Sequence, residues 1–400
     1  MSAFHAALEI GTSRTVLAIG EMDAGGRLKV ICHAEIPSTG VRKSQILDIS
    51  QATHSIHAVL MQTERRLEAS GDSVTLGNAF LVASGQSIRA DPYVASVQVE
   101  GAKVGADAID DVRRAAHDMK LPSNRELLDV LEQDFVLDRL GGIRSPRGMS
   151  GRVLSLNTLQ IHADRDRIQD ARTAADAAHI EIRDPLYAAT CAADAVLDEP
   201  ERCNGALVID LGGGSTGYAA YADGYAVSTG VLGVGGDHVT NDIVQAFQTT
   251  TAQAERMKTQ SACAMVDAGE GAERVRIDSE ASALMDGRTV SRRALDTVVN
   301  ARLMELFTML RETLEEQDVL HRLRHGAVLT GGGARMRGIE ELAAQVLGIP
   351  VRTGSPINVD GLEDAPFPPA FAAISGALLF AHRNYEQKSL LDGIIGRFFK

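Results

Sequence analysis

A short module that occurs twice is the feature that most constrains how this sequence can fold. In each copy an apolar strand ends in an acidic residue, a turn rich in glycine and hydroxyl residues follows, and further strands come after it. The first copy contains Glu9 to Arg14 (EIGTSR), and the second, about 200 residues later, contains Asp210 to Thr216 (DLGGGST). We interpret the recurrence as a structural repeat rather than a sequence repeat.

The size and charge of the chain narrow its possible organisation and partners. Its 400 residues exceed what one hydrophobic core usually supports, so two or more domains around a shared site are expected. Hydrophobic residues make up 44% and charged residues 23%, which is the balance of an ordinary globular protein. The formal net charge of -13 argues against nonspecific nucleic-acid binding, because phosphate backbones favour a basic surface. We therefore expect no nucleic-acid partner.

The chemistry of the repeated turn indicates phosphate binding. Backbone N–H groups of a glycine-rich turn can cradle phosphate oxygens, and small residues allow their close approach. Glu9 and Asp210 cannot touch phosphate directly, so they are best explained as holding Mg²⁺ through water. One such turn is also compatible with an ordinary strand end. Two of them, each opening a strand module, favour a shared nucleotide site.

Two further glycine clusters could contribute to such a site. Leu329 to Arg335 (LTGGGAR) follows an apolar strand and leads into a helix, an arrangement that suits a sugar-phosphate or an adenine edge. Thr229 to His238 (TGVLGVGGDH) precedes another helix. Alone, the first could be a plain strand-to-helix turn and the second a flexible loop before a capped helix.

Hydrophobic periodicity predicts alternating strands and helices along the whole chain. A small inserted subdomain of short alternating segments is predicted at about 84–164. The predicted strands are 4–10, 16–20, 28–33, 79–83, 93–99, 153–161, 206–210, 217–221, 226–228 and 327–330. The predicted helices are 49–69, 108–119, 165–178, 188–197, 237–260, 291–324 and 338–347.

The last residues of the chain have the pattern of an amphipathic helix. Six bulky apolar side chains fall on one half of a helix drawn over 387–400, and Lys388, Arg397 and Lys400 give this segment a positive charge. The six are Leu390, Leu391, Ile394, Ile395, Phe398 and Phe399. Such a segment is typical of a helix that lies in a membrane interface. It could also dock on the body of the protein or on a partner.

Cysteine spacing and hydropathy indicate the compartment. The four cysteines show no CxxC or His/Cys pairing, so buried thiols in a reducing environment are expected. The amino terminus lacks the pattern of a signal peptide, and no apolar run of about 18 residues is present. We therefore expect a cytoplasmic protein.

Several stretches of the sequence, spread over nearly the whole chain, are informative when taken together. They are LEIGTSRT, STGVRKSQILDI, SPRGMSGRVL, DPLYAATCAADAVL, VIDLGGGSTG, TGVLGVGGDHVTNDI, VLTGGGARMRGIEELA and FPPAFAAISGALLFA. In this order they resemble the FtsA family of bacterial actin-like cell-division proteins. The family belongs to the actin, sugar-kinase and heat-shock-ATPase superfamily. The resemblance implies an α/β fold of the actin-like (ribonuclease-H-like) type, a two-lobed ATPase with the inserted subdomain 1C that is peculiar to FtsA.

The resemblance also implies a site for ATP and Mg²⁺. The residues expected to face the phosphates are Gly11, Thr12, Ser13 and Arg14 with Asp210, Gly212, Gly213, Gly214, Ser215 and Thr216. Those expected to enclose the adenosine are Gly235, Gly236, Gly331, Gly332, Gly333 and Arg335. Glu255 and Lys258 match an Ala-Glu-x-x-Lys helix of the family and would reach the ribose and base. Without the surrounding match, that pair would be read as a surface ion pair.

Family boundaries carried onto this chain divide it into five parts. Residues 1–83, 165–200 and 366–386 would form the core of lobe 1 (1A), 84–164 the subdomain 1C, 201–235 and 310–365 the core of lobe 2 (2A), 236–309 the subdomain 2B, and 387–400 the membrane-targeting helix.

Whether the chain hydrolyses ATP depends on a group that orients water. Superfamily enzymes often place such a group at the start of the first connecting helix, where this chain has Asp184. An acid that simply favours a helix start, with Pro185 in the first turn, also explains that residue. FtsA proteins bind ATP firmly and hydrolyse it feebly, so weak or no turnover is expected.

The resemblance implies a role in cell division at the inner face of the cytoplasmic membrane. The expected partners are the tubulin-like division protein FtsZ, other copies of the chain in a polymer, later division membrane proteins through 84–164, and an anionic membrane surface. A PilM-type pilus-assembly scaffold is the alternative, and a sugar-kinase-type enzyme is a third candidate.

Overall fold

The computed structural model describes residues 4–23, 25–71, 76–266, 273–277 and 288–383. The strands are β1 His5–Ile10, β2 Arg14–Met22, β3 Leu28–Pro37, β4 Val41–Arg42, β5 Gln45–Ile46, β6 Asn78–Ala83, β7 Arg89–Gln98, β8 Arg125–Leu137, β9 Leu140–Ile143, β10 Val153–Asp164, β11 Glu181–Tyr187, β12 Ala206–Leu211, β13 Thr216–Ala222, β14 Tyr225–Leu232, β15 Arg274–Ile277, β16 Arg288–Ser291, β17 Gly326–Thr330, β18 Val351–Thr353 and β19 Val359–Asp360.

Helices cover the faces of these sheets. The α-helices are α1 Ile49–Ser70, α2 Ala106–His117, α3 Arg165–Ala177, α4 Ala188–Val196, α5 Glu199–Asn204, α6 Gly236–Phe247, α7 Thr251–Arg256, α8 Arg292–Glu316 and α9 Ile339–Leu347. A π-helical turn follows α7 at Met257–Ser261, 3-10 turns lie at Leu320–Arg322, Gly332–Arg335 and Pro368–Phe371, and residues 372–383 are helical.

The two main sheets repeat one strand order. In the first, β3, β2 and β1 are antiparallel, and β6 and β11 continue in parallel from β1. In the second, β14, β13 and β12 are antiparallel, and β17 and β18 continue in parallel from β12. The prediction of a structural repeat is confirmed. Because β1 and β12 are equivalent, the glycine turns that follow them lie at equivalent edges of their sheets.

Helix α4 connects the lobes and is built from small residues for a steric reason. It contacts β12 and β13 of lobe 2, and all of its residues except Asp194 are buried. The helix at 372–383 crosses it so closely that a Cβ atom added at Gly376 would lie 1.7 Å from the carbonyl oxygen of Cys191. Bulky side chains would separate the two backbones, so alanine and glycine fill this crossing.

An antiparallel sheet of four strands, in the order β7-β10-β8-β9, forms the inserted region together with α2. Its own core contains Val112, Phe135, Leu154 and Leu156. It also contacts lobe 2, where the side-chain amide of Gln133 donates a hydrogen bond of 2.7 Å to the carbonyl of Ala226. The inserted sheet, which interrupts lobe 1, therefore also contacts lobe 2.

Two predicted helices are shorter in the structure because left-handed residues interrupt them. The helix predicted at 237–260 is divided into α6 and α7, since Gln248 has a φ of 48°. The helix predicted at 291–324 ends at Glu316, shortly before Asp318 with a φ of 55°. A right-handed helix cannot continue through such a conformation.

Strands were missed where charged residues hide the alternation. β8 and β9 have no counterpart in the prediction: β8 carries Glu and Asp at several partly buried positions, and β9 has only four residues, two of them glycine. The prediction that a helix begins at Asp184 is wrong, because residues 181–187 form strand β11 and α4 begins only at Ala188. Pro185 is compatible with this position because β11 lies at the edge of its sheet.

The amphipathic segment predicted at 387–400 lies outside the described residues. In the part of the chain that the structure describes, no helix combines the length and apolar character needed to cross a bilayer.

Candidate functional site

A cleft of about 400 Å³ lies between the lobes, within the range of small-molecule sites. Its walls include residues of both glycine turns, Gly11 to Arg14 from lobe 1 and Gly212, Gly213 and Ser215 from lobe 2. Thus the two modules that recur in the sequence face each other across one space.

The two turns have the same geometry. In the first, the N–H of Gly11 donates to the carbonyl of Arg14 over 3.0 Å; in the second, that of Gly212 donates to the carbonyl of Ser215 over 3.1 Å. A Cβ atom added at either glycine would lie 2.8 Å from the oxygen that accepts this hydrogen bond. Glycine is therefore required at both positions, because any side chain there would clash with the oxygen that closes the turn.

Glu9 and Asp210 form the floor of this cleft. They end the equivalent strands β1 and β12, and both line the cleft. Burial and, to a smaller extent, the charge of Glu9 raise the pKa of Asp210 to about 7, while Arg14 opposes the shift. Burial also raises the pKa of Glu9. Two carboxylates that repel each other in a buried place form a site where a cation would be stabilised.

This floor fits Mg²⁺ bound through water. Magnesium keeps several waters and is usually bound by one or two carboxylates together with substrate phosphates. Among the described residues, no cluster of three or more His, Cys, Asp or Glu side chains could form an all-protein cage. Glu9 and Asp210 match the arrangement in which one or two carboxylates bind the hydrated ion together with substrate phosphates, rather than an all-protein cage.

Arg14 is held by lobe 1 rather than left free. Its guanidinium bonds to the carboxylate of Glu35 and to the carbonyl of Ala370. It also lies over the ring of Phe371, with 4.9 Å between the guanidinium carbon and the ring centroid. These contacts place a fixed positive charge on the wall of the cleft, where it would attract an anion.

A second pocket of about 180 Å³ adjoins the first, and five residues line both: Ser13, Gly212, Gly213, Gly332 and Arg335. The second pocket is also lined by the other predicted glycines and by the predicted ion pair, namely Gly235, Gly236, Gly333, Glu255 and Lys258. The arrangement brings together the residues that the sequence assigned to phosphates and those it assigned to adenosine.

The pair Glu255 and Lys258 belongs to this pocket rather than to the outer surface. The ammonium of Lys258 lies 2.7 Å from the carboxylate of Glu255 and donates to the hydroxyl of Thr240 over 3.0 Å. Its side chain is only 12% exposed. The side chain of Glu255 is 47% exposed, so the pair is only partly buried and its contact with ribose and base stays a prediction.

Three predicted site residues do not line either pocket. The hydroxyl of Thr216 is buried and donates to the carbonyl of Val234 over 2.7 Å, so it stabilises the β13–β14 region instead of facing phosphate. Gly214 packs against the turn that connects β4 and β5. Asp184 is exposed on the edge strand β11. The structure does not bring Asp184 to the cleft, and a role for it in hydrolysis is still only a prediction.

Gly331 lies against the carboxylate of Asp210, a contact that the sequence alone did not predict. Its φ is 79°, and a Cβ atom at this position would lie 2.4 Å from Oδ1 of Asp210. The glycine therefore permits the carboxylate to occupy its position.

Sequence reasoning missed Glu35, Ser44 and Phe371, which also line the cleft. Glu35 lies in β3 and Phe371 in a 3-10 turn far along the chain, so only the fold brings them to Arg14. Ser44 lies in the turn between β4 and β5, within a stretch already noted for its family resemblance. Its sequence, Lys-Ser, is not the Asn-Gly that usually indicates such a turn.

Family models match two regions of the chain. The model described as "Cell division protein FtsA" matches residues 207–376, and "SHS2 domain inserted in FTSA" matches residues 85–162. The chain is also 31% identical to the cell division protein FtsA of Pseudomonas aeruginosa over 93% of its own length and 88% of that protein.

Solved structures show the same fold at low sequence identity. The type IV pilus biogenesis complex PilM-PilN contains a chain with a TM-score of 0.62 and 17% identity, over 94% of this chain and 97% of that one. MreB 5 of Spiroplasma citri, bound to AMPPNP, has a TM-score of 0.56 and 14% identity, over 98% and 99% respectively. The prediction of an actin-like two-lobed fold is confirmed.

Proposed function

The chain belongs to the FtsA family of cell-division proteins, and from that premise we propose that it binds ATP with Mg²⁺ between its lobes. We further propose that it self-associates on the inner face of the cytoplasmic membrane at the division site and tethers the tubulin-like protein FtsZ there. Later division membrane proteins would bind through residues 84–164. The division of the chain into 1A, 1C, 2A, 2B and a terminal membrane helix, as given above, is part of this proposal.

The observation that carries the ATP proposal is the pairing of the two glycine turns above the carboxylates of Glu9 and Asp210. Each lobe supplies one glycine turn with N–H donors, and the two carboxylates suit a hydrated cation. The adjoining pocket is lined by residues that were assigned to adenosine. A ligand that contacts both lobes would stabilise one relative orientation of them. We infer that nucleotide acts mainly as a conformational ligand.

Slow turnover follows from the carboxylates of the cleft. Among the described residues that line it, the carboxylates are Glu9, Glu35 and Asp210. Two of them are assigned to the cation, and the third bonds to Arg14. With no further carboxylate in the described lining to orient water, we expect weak or no ATP hydrolysis.

Membrane attachment is tested by sedimentation with anionic liposomes, with and without ATP. The full chain is expected to pellet with the vesicles, whereas a chain truncated after Gln387 is expected to remain in the supernatant, because it lacks the six apolar residues of the tail. Pelleting should weaken at high salt, since the cations of the tail contribute.

A matched variant separates charge from apolar insertion. Substitution of Ile394 and Phe398 by Ser keeps Lys388, Arg397 and Lys400 but removes two residues of the apolar face. We expect it to lose most of the pelleting. If the truncated chain pelleted as well as the full chain, attachment by the tail would be wrong, and the membrane contact would lie elsewhere on the chain.

A further inference from the structure

The turn between β4 and β5 reaches across the cleft and links the two lobes. It contains only Lys43 and Ser44, since Arg42 pairs with Gln45. The backbone N–H of Ser44 donates to the hydroxyl of Thr12 over 2.7 Å, and its own hydroxyl lies 3.1 Å from that of Ser215. Thr12 belongs to the turn of lobe 1 and Ser215 to the turn of lobe 2. A single residue thus contacts both phosphate-facing turns.

The backbone of this turn is strained. Lys43 and Ser44 have φ values of 49° and 57°, which are left-handed for residues that are not glycine. A two-residue hairpin turn of this kind favours Asn-Gly. Such strain persists only where the surroundings demand it, and it occurs often at ligand sites.

The order of residues along the two pockets shows which part of a nucleotide would meet Ser44. Ser44 and Ser215 line only the pocket that contains the carboxylate floor, whereas five residues line both pockets: Ser13, Gly212, Gly213, Gly332 and Arg335. A nucleotide with its adenosine in the second pocket would pass its phosphates over the shared residues. Its terminal phosphate would then lie near Ser44, the end farthest from the adenosine.

Ser44 is also the hydroxyl of this group that is best able to change partner. Ser215 is 5% exposed, and Thr12 already accepts a hydrogen bond from the backbone of Ser44. A small cavity of about 40 Å³ lies beside the hairpin and is lined by Val41, Ser44 and Ile46. The turn can therefore shift without overpacking its neighbours, and a hydroxyl can rotate to donate to a phosphate oxygen.

We propose that Ser44 distinguishes a nucleoside triphosphate from a diphosphate. The Ser44 hydroxyl, which bridges the lobes through Ser215, turns to donate to the terminal phosphate when a triphosphate is bound, and a diphosphate is too short to engage it. The inference rests on the proposed function, because it requires that the cleft bind ATP.

The same residue would transmit the difference to the inserted sheet. A Cβ atom added at Gly85, where the inserted region begins, would lie 2.8 Å from Cβ of Ser44. Movement of the hairpin would therefore displace Gly85, the first residue of that region. The nucleotide state and the position of the inserted sheet are coupled through this contact.

The test compares the affinities of the full chain for Mg²⁺·ATP and Mg²⁺·ADP by titration calorimetry. Ser44→Ala keeps the Cβ atom and the backbone bond to Thr12 and removes only the hydroxyl, so the fold should be retained. We expect a loss of about tenfold in ATP affinity, the effect of one hydrogen bond to a charged acceptor, with ADP affinity unchanged. Ser96→Ala, which removes an exposed hydroxyl of β7, serves as the matched control.

Ser44→Gly separates the hydroxyl from the backbone. It relieves the strained φ but also lacks the hydroxyl, so it should lose the preference for ATP while unfolding at a higher temperature than Ser44→Ala. If both variants kept the wild-type ratio of ATP to ADP affinity, the sensor role would be wrong while ATP binding stood. If the wild-type chain bound neither nucleotide, the proposed function would fail and this inference with it.

Discussion

Substitution of Asp210 by Asn is expected to weaken Mg²⁺·ATP binding by about 10- to 100-fold, a loss typical of removing a group that orients a metal ion. The amide has the same shape but no charge, so it cannot stabilise the hydrated cation at the floor of the cleft. The same variant should unfold at a higher temperature than wild type in the absence of nucleotide and metal, because a buried carboxylate near Glu9 is removed. Calorimetric titration and thermal unfolding measure the two effects.

The pH dependence of binding provides a second signature of Asp210. Its pKa is raised to about 7, so the side chain is increasingly protonated as the pH falls through that value. Since only the carboxylate attracts the cation, wild-type affinity for Mg²⁺·ATP should fall as the pH is lowered from 8 to 6. The Asp210→Asn variant should lose this dependence.

Asp164→Asn is the matched control for the change from carboxylate to amide. Asp164 caps α3 by accepting from the N–H of Asp166, and Asn caps helices equally well. We expect neither its binding nor its unfolding temperature to differ from wild type. Equal affinity of Asp210→Asn and wild type at pH 8 would show that the floor does not hold the cation.

Substitution of Gly331 by Ala is expected to destabilise the protein by about 2–4 kcal/mol, through backbone strain and overpacking together. Its φ of 79° and ψ of 171° lie in a region that only glycine adopts readily. The new Cβ atom would also lie 2.4 Å from Oδ1 of Asp210 and 2.7 Å from the carbonyl of Leu211. Because the unfolding entropy of a 400-residue chain is large, this loss corresponds to a downward shift of about 2–5 °C in thermal unfolding.

The neighbouring glycine provides the control for this change. A Cβ atom added at Gly332 would meet no heavy atom within 4 Å, and its φ is outside the left-handed region. Gly332→Ala, measured without nucleotide, should therefore unfold within a degree or two of wild type, as surface changes usually do. Similar losses in both variants would show that the clash with Asp210 and the strain at Gly331 are not the cause.

Much of the fold could be predicted because the two modules carry their own local signals. Apolar strands, the acid at each strand end and the glycine turn after it are contiguous in the sequence, and they predicted a structural repeat. The same turns predicted Gly11 to Arg14 and Gly212 to Ser215 as a shared site. Local pattern suffices where the strand, the turn and the site residue are neighbours in the chain.

The rest of the site depended on contacts between distant segments. Arg14 meets Glu35 and Ala370 only after lobe 1 closes around the 3-10 turn at 368–371. Ser44 was missed because Lys-Ser does not have the composition of the turn it adopts. Thr216 has the residue type of a phosphate ligand, but its place in β13 turns its hydroxyl to Val234. Tertiary structure decides such orientations, and a sequence pattern does not contain them.

The most direct test of the account is a titration of the full chain with ATP at pH 8, with Mg²⁺ and again after its removal by EDTA. We predict one saturable ATP site per chain. Its affinity should be weaker without Mg²⁺, because the phosphates would then lie above the negative charges of Glu9 and Asp210 with no cation between them. No saturable binding by the folded chain in either condition would contradict the account.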